Sequence, residues 1–129
     1  MPKLISAADK PQACDVPIRV TIVTLDNHAA GAFARARMTL RKELPGLELR
    51  LHAATEFGND VRALERCRQD IEQADIVFCC MLFLEDHIQA VLPWLQAKRD
   101  NCDAMISCIS ATEVVKLTRM GRFDMQAKQ

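Results

Sequence analysis

Residues 78–87 read Phe-Cys-Cys-Met-Leu-Phe-Leu-Glu-Asp-His. Thiols, carboxylates and an imidazole are the usual donors for zinc and the usual groups for acid–base chemistry. Whether Cys79, Cys80, Glu85, Asp86 and His87 can act together depends on how the backbone presents them. Ile76 to Leu84 is the longest apolar run, and Ile76 to Phe83 within it reads as a buried strand. Successive side chains on a strand point to opposite faces. Cys79 is then expected to go with Met81, and Cys80 with Phe78 and Leu82, in different layers, where the two cannot share one metal ion. The six cysteines, Cys14, Cys67, Cys79, Cys80, Cys102 and Cys108, include no C-x-x-C pair. They are read as small core hydrophobes rather than a zinc or disulfide framework.

Glu85, Asp86 and His87 fall where that strand gives way to a helix. Acids in a first helical turn complement the helix dipole, and Asp86 is a candidate N-cap. The same position is where open α/β sheets hold ligands, beyond the carboxyl ends of the strands.

Four strand–helix units surround this stretch. Ile18 to Leu25 is β-branched and apolar, a buried strand. Ala29 to Leu44 has helical spacing, with Phe33, Ala36, Leu40 and Leu44 on one inward face, and stops at Pro45-Gly46. Arg35, Arg37, Arg41 and Lys42 on it read as a solvated surface. Leu47 to Ala53 alternates strictly, with Leu47, Leu49 and Leu51 on one side and Glu48, Arg50 and His52 on a solvated other. Asn59 or Asp60 is suited to cap the next helix, which turns Val61, Leu64, Ile71 and Ala74 inward and places Arg66 and Asp70 as an i,i+4 pair. The third helix carries Ile88, Val91, Leu92 and Leu95, with Trp94 packing and Pro93 expected to kink it or delay its start. Ala104 to Ile109 is the fourth strand. Ser110 and Glu113 form a capping-box pattern for a last helix through Val114, Val115 and Leu117, ending at Gly121. Met120 and Met125 near the end are core filler or face a partner surface.

This alternation predicts an α/β fold: an open parallel four-stranded sheet, flavodoxin/Rossmann-like, in the order 2-1-3-4 with helices on both faces. No fifth strand is expected, so the sheet reads as truncated, its outer edge completed by other polypeptide. Residues 1–17 read as a leader, 18–125 as the domain and 126–129 as a tail. In a 2-1-3-4 order the ligand crevice lies between strands one and three. Its walls are expected to be Asp26, Asn27 and His28 on one side and Glu85, Asp86 and His87 on the other, with Ser110 and Glu113 nearby. No residue is assigned a catalytic role or a metal.

Several functions are disfavoured. Strand one runs into Asp-Asn-His-Ala-Ala-Gly, neither G-x-G-x-x-G nor a P-loop, and there is no G-x-S-x-G elbow. Lys plus Arg equals Asp plus Glu at 17 each in 129 residues. That balance argues against nucleic acid as a partner and against an anionic membrane surface. The apolar runs fall short of the roughly 20 residues a transmembrane helix needs. A cytoplasmic setting with reduced thiols is expected.

The stretches PIRVTIVTLDNHAAGAFARARMTLRKELPGLELRLHAATEFG and ADIVFCCMLFLEDHIQAVLPWLQAKRDNCDAMISCISATEVVKLTRMGRFDM resemble the N-terminal region of the magnesium chelatase H-subunit family, in its bacteriochlorophyll-pathway version. The cobaltochelatase large subunit is a relative. The resemblance implies a piece of a larger protein that binds protoporphyrin IX and takes part in ATP-dependent Mg²⁺ insertion. It implies as partners the rest of that large chain, an AAA+ ATPase subunit and a von Willebrand-type subunit. Mg²⁺ sheds its water reluctantly, which suits an energy-driven step. No family catalytic residue maps onto this stretch. Two other readings of the residues are a stand-alone flavodoxin-like small-ligand or interaction module and a thiol-based sensor.

Overall fold

The computed structural model describes residues 16–126. Cys14, most of the 1–17 leader and nearly all of the 126–129 tail lie outside them. Four parallel strands, β1 (Ile18–Thr24), β2 (Leu47–Ala53), β3 (Ile76–Cys80) and β4 (Ala104–Cys108), stand in the order β2-β1-β3-β4. Helices α1 (Ala30–Glu43), α2 (Val61–Gln73), α3 (Glu85–Lys98) and α4 (Thr112–Val115) follow them in turn. Two short antiparallel strands, β5 (Arg119–Met120) and β6 (Phe123–Asp124), complete the sheet beyond β4.

One face of the sheet holds the core. Thr21, Val77 and Met105 form one row across β1, β3 and β4, and Val23, Cys79 and Ser107 the next. All six are buried. Against them α2 packs Cys67 and Ile71, and α3 packs Ile88, Val91 and Leu95. The reverse rows, such as Ile22, Phe78 and Ile106, are only half-buried. The connection from β1 to β2 runs one way along the sheet and that from β2 to β3 the other. Right-handed crossovers therefore put α1 and α2 on opposite faces. Yet α1 has no buried residue, and Met38 and Leu40 are exposed. The inward face expected for Phe33, Ala36, Leu40 and Leu44 does not form a core.

Three local expectations are revised by contacts between elements. The polar side of β2 is solvated only in part. Arg50 is exposed, but His52 sits half-buried beside Val23 of β1, and its Nε2 lies 2.7 Å from Asp70 Oδ2 on α2. Asp70 is thereby taken from Arg66, which instead approaches Asp60 at 4.0 Å. Asp60 caps α2 as expected, accepting from the backbone of Arg62 and Ala63. Val61, at that helix's first position, is exposed rather than inward. Pro93 does not delay α3, which begins at Glu85.

The outer edge is the main correction. β5 pairs with Ala104 and Met105 of β4, and the Thr118 hydroxyl serves the next backbone unit. It accepts from Ser107 N at 3.0 Å and donates to Ser107 O at 3.1 Å. The edge expected to be open is sheltered by the chain's own residues. Arg99, buried at the end of α3, anchors the hairpin: Nε donates to Leu117 O at 3.0 Å and the guanidinium pairs with Asp124. Gly121 makes the β5–β6 turn with φ 59, where glycine has no steric penalty; it does not end a helix. The last helix is one turn long, and no side chain caps it.

Candidate functional site

The carboxyl ends of the parallel strands carry the expected residues, in two groups. After β1, His28 stands over Asp26: its backbone N–H donates to Oδ1 at 3.0 Å and its Nδ1 lies 2.7 Å from Oδ2. That backbone hydrogen bond, aided by the ring, holds the Asp26 carboxyl below the usual range. Asn27 Nδ2 donates to Glu56 Oε2 at 3.0 Å, tying this loop to the turn after β2.

The second group faces a cleft. Asp86 and His87, in the first turn of α3, line a cleft of about 260 Å³ with Thr55, Phe57, Gly58 and Leu64. The opposite wall is the segment after β2 and the start of α2, not Asp26 and His28. Leu84 occupies the N-cap position of α3 without a side-chain bond, so Asp86 is not the cap. Glu85 accepts from Gln89 Nε2 at 2.8 Å along the outside of the helix. His87 Nδ1 is buried and has no hydrogen-bond partner. A buried ring nitrogen left unpaired is costly.

Ser110 is adjacent, and its hydroxyl is engaged within the protein. Its hydroxyl accepts from Leu82 N at 3.1 Å and donates to Cys108 O at 3.0 Å. It therefore closes the β3 and β4 ends together rather than capping a helix with Glu113. Two non-glycine residues here have left-handed backbones, Met81 (φ 63) and Ile109 (φ 46), and Met81 N donates to Ile109 O at 2.7 Å. A β-branched residue at positive φ is strained. Phe83, Leu84 and Ile109 are exposed on the same rim.

Sequence reasoning missed Thr55, Phe57, Gly58 and Leu64. The order 2-1-3 puts the loop after β2 on the same rim as the loop after β1, and an aromatic followed by glycine in that loop was the available sign. A larger surface hollow of about 320 Å³ lies under Arg37, Arg41, Glu48 and Arg50. Its Glu48 and Arg50 lie 3.6 Å apart, which reads as solvated surface. Among the described residues, no three His, Cys, Asp or Glu side chains cluster closely enough to hold a metal ion. Nor is any helix among them long and apolar enough to cross a membrane.

Residues 19–129 match the model of a family described as a domain of unknown function (DUF3479). The chain belongs to the DUF3479 family. As a DUF3479 domain it is 50% identical over 107 residues to the magnesium-chelatase H subunit of Cereibacter sphaeroides. It is 40% identical over 106 residues to the protein of the same name from Rhodobacter capsulatus. The matches cover 83% and 82% of this chain but 9% of each relative. The DUF3479 chain thus spans about a tenth of the length of the curated relatives it matches.

Proposed function

We propose that this domain is the N-terminal unit of the large, H-type chain of a magnesium chelatase of the bacteriochlorophyll pathway. In this reading the whole large chain binds protoporphyrin IX, and Mg²⁺ is inserted with ATP hydrolysed by the ATPase and von Willebrand-type subunits. The observation that carries the reading is 50% identity across nearly the whole domain to a protein named for that complex. The domain's own part is positional rather than chemical. Pockets that enclose a small organic ligand run to about 300–1,000 Å³ and are mostly apolar. The strand-end cleft, at about 260 Å³ with Thr55, Asp86 and His87 in its lining, suits a side chain or a small polar group better than a macrocycle. The contact residues are Asp86 and His87 in the cleft, with Asp26, Asn27, His28, Glu85, Ser110 and Glu113 around the rim. The exposed Phe83, Leu84 and Ile109 extend the contact to an apolar surface of the rest of the large chain.

The test is an exchange. This chain replaces the matching 107-residue stretch of the Cereibacter sphaeroides protein, and Mg²⁺ insertion is assayed with the two partner subunits. The reading predicts insertion comparable to the parent, and no porphyrin absorbance shift when the 129-residue chain is titrated alone. A soluble, folded exchange protein that binds porphyrin but inserts no metal would overturn it, as would tight porphyrin binding by the isolated domain.

A further inference from the structure

Two pairs of cysteines approach each other. Cys67 and Cys79 are sealed in the core, where burial pushes both thiols to about 12, and they are inert. Cys80 and Cys108 differ. They are the last residues of β3 and β4, directly paired in register, on the sheet face that is only half-buried. Neighbouring strands lie about 4.8 Å apart, within the Cα separation of about 4.4–6.8 Å that a disulfide spans. Each cysteine is followed at once by a left-handed residue, Met81 or Ile109, and those two are hydrogen-bonded to each other. Ser110 adds a further tie, from Leu82 N to Cys108 O. The two strand ends therefore hold the thiols side by side on an accessible face.

We propose that Cys80 and Cys108 form a reversible disulfide, a thiol–disulfide exchange site for low-molecular-weight disulfides on the rim of the sheet. One thiolate attacks a sulfur of the small disulfide, forming a mixed disulfide and expelling one small thiolate. The second cysteine loses its proton and attacks the protein sulfur of that mixed disulfide, expelling the other small thiolate. Two electrons pass from the protein dithiol to the oxidant, and the two protein protons end on the two small thiols. Reduction by a dithiol runs the same steps backwards. The bond would fix the β3 and β4 ends beside the segment that leads into His87. Burial and the neighbouring Cys108 hold the Cys80 thiol above its usual range, so the exchange is slow near neutrality and speeds up as pH rises.

The whole 129-residue chain, reduced and then exposed to oxidised glutathione, is digested and mapped by tandem mass spectrometry. The expected result is a Cys80–Cys108 link, two hydrogens lighter than the parts. It should be reversed by dithiothreitol, form faster at higher pH, be absent from C80S and C108S, and be retained in a C14S/C102S double variant. Phenylarsine oxide, which bridges two nearby thiols, should bind reduced wild type once per chain, fail with either single variant, and block the oxidation. Cys80 and Cys108 still separately alkylated after oxidation, with the arsenical bound normally, would overturn the proposal. Linkage of Cys80 to Cys14 or Cys102 instead would do the same.

Discussion

Cys67 and Cys79 give the domain its clearest pH dependence. Burial raises both from an ordinary thiol value of 9.0 to about 12. Between those limits the unfolded chain has lost protons that the native state retains, so the slope of stability with pH is negative. The contribution is complete below about pH 9 and is lost as pH rises toward about 12. Urea unfolding under reducing conditions should therefore show a midpoint that falls steeply across this alkaline window. C67A should flatten the fall; an identical slope in that variant would mean the thiol is not what titrates. The opposed facing of Cys79 and Cys80 was legible from strand alternation alone. The His52–Asp70 bond was not, because it joins a strand to a helix 18 residues away, and periodicity within one element says nothing about the neighbour's register.

At the scale of elements, apolar pattern placed the four parallel strands and their order. It overextended three of them, since Leu25, Ile109 and Met81 to Phe83 are apolar yet lie past the strand ends. Left-handed backbones at Met81 and Ile109 end the strands there, and nothing in a run of isoleucine, leucine and cysteine announces a positive φ. The edge of β4 was misjudged for a related reason. A two-residue strand is too short for an alternation signal, and a hydroxyl standing in for a strand is invisible without coordinates. Thr118 should carry a measurable share of stability. T118V keeps the shape but leaves the Ser107 N–H and C=O without their partner, a loss of about 1–3 kcal/mol. It also bares strand edge, so aggregation on heating should rise. Chemical denaturation of T118V and T118S separates hydroxyl from shape: T118S should recover most of the loss, and failure to do so would remove the hydroxyl from this role.

At the scale of the whole molecule, the core formed by the described residues is one-sided. The fully buried rows face α2 and α3, while α1 buries nothing. What converges at the carboxyl ends of the strands is a small polar cleft, a strained apolar rim and a pair of reachable thiols. An open sheet assembles its ligand surface at that end whatever its sequence, which is why Asp86 and His87 could be placed from the strand order. Their opposite wall, Thr55 to Gly58, depended on a loop path that composition does not encode. The proposed function has this domain serve a magnesium chelatase through that cleft. The most direct test is the initial rate of Mg²⁺ insertion by the exchange protein carrying H87A, beside R37A on the outer surface of α1 as a control. The account predicts a rate lowered about fivefold or more in H87A, the worth of roughly one hydrogen bond, with native folding by circular dichroism and R37A unchanged. Equal rates in H87A and R37A would contradict it.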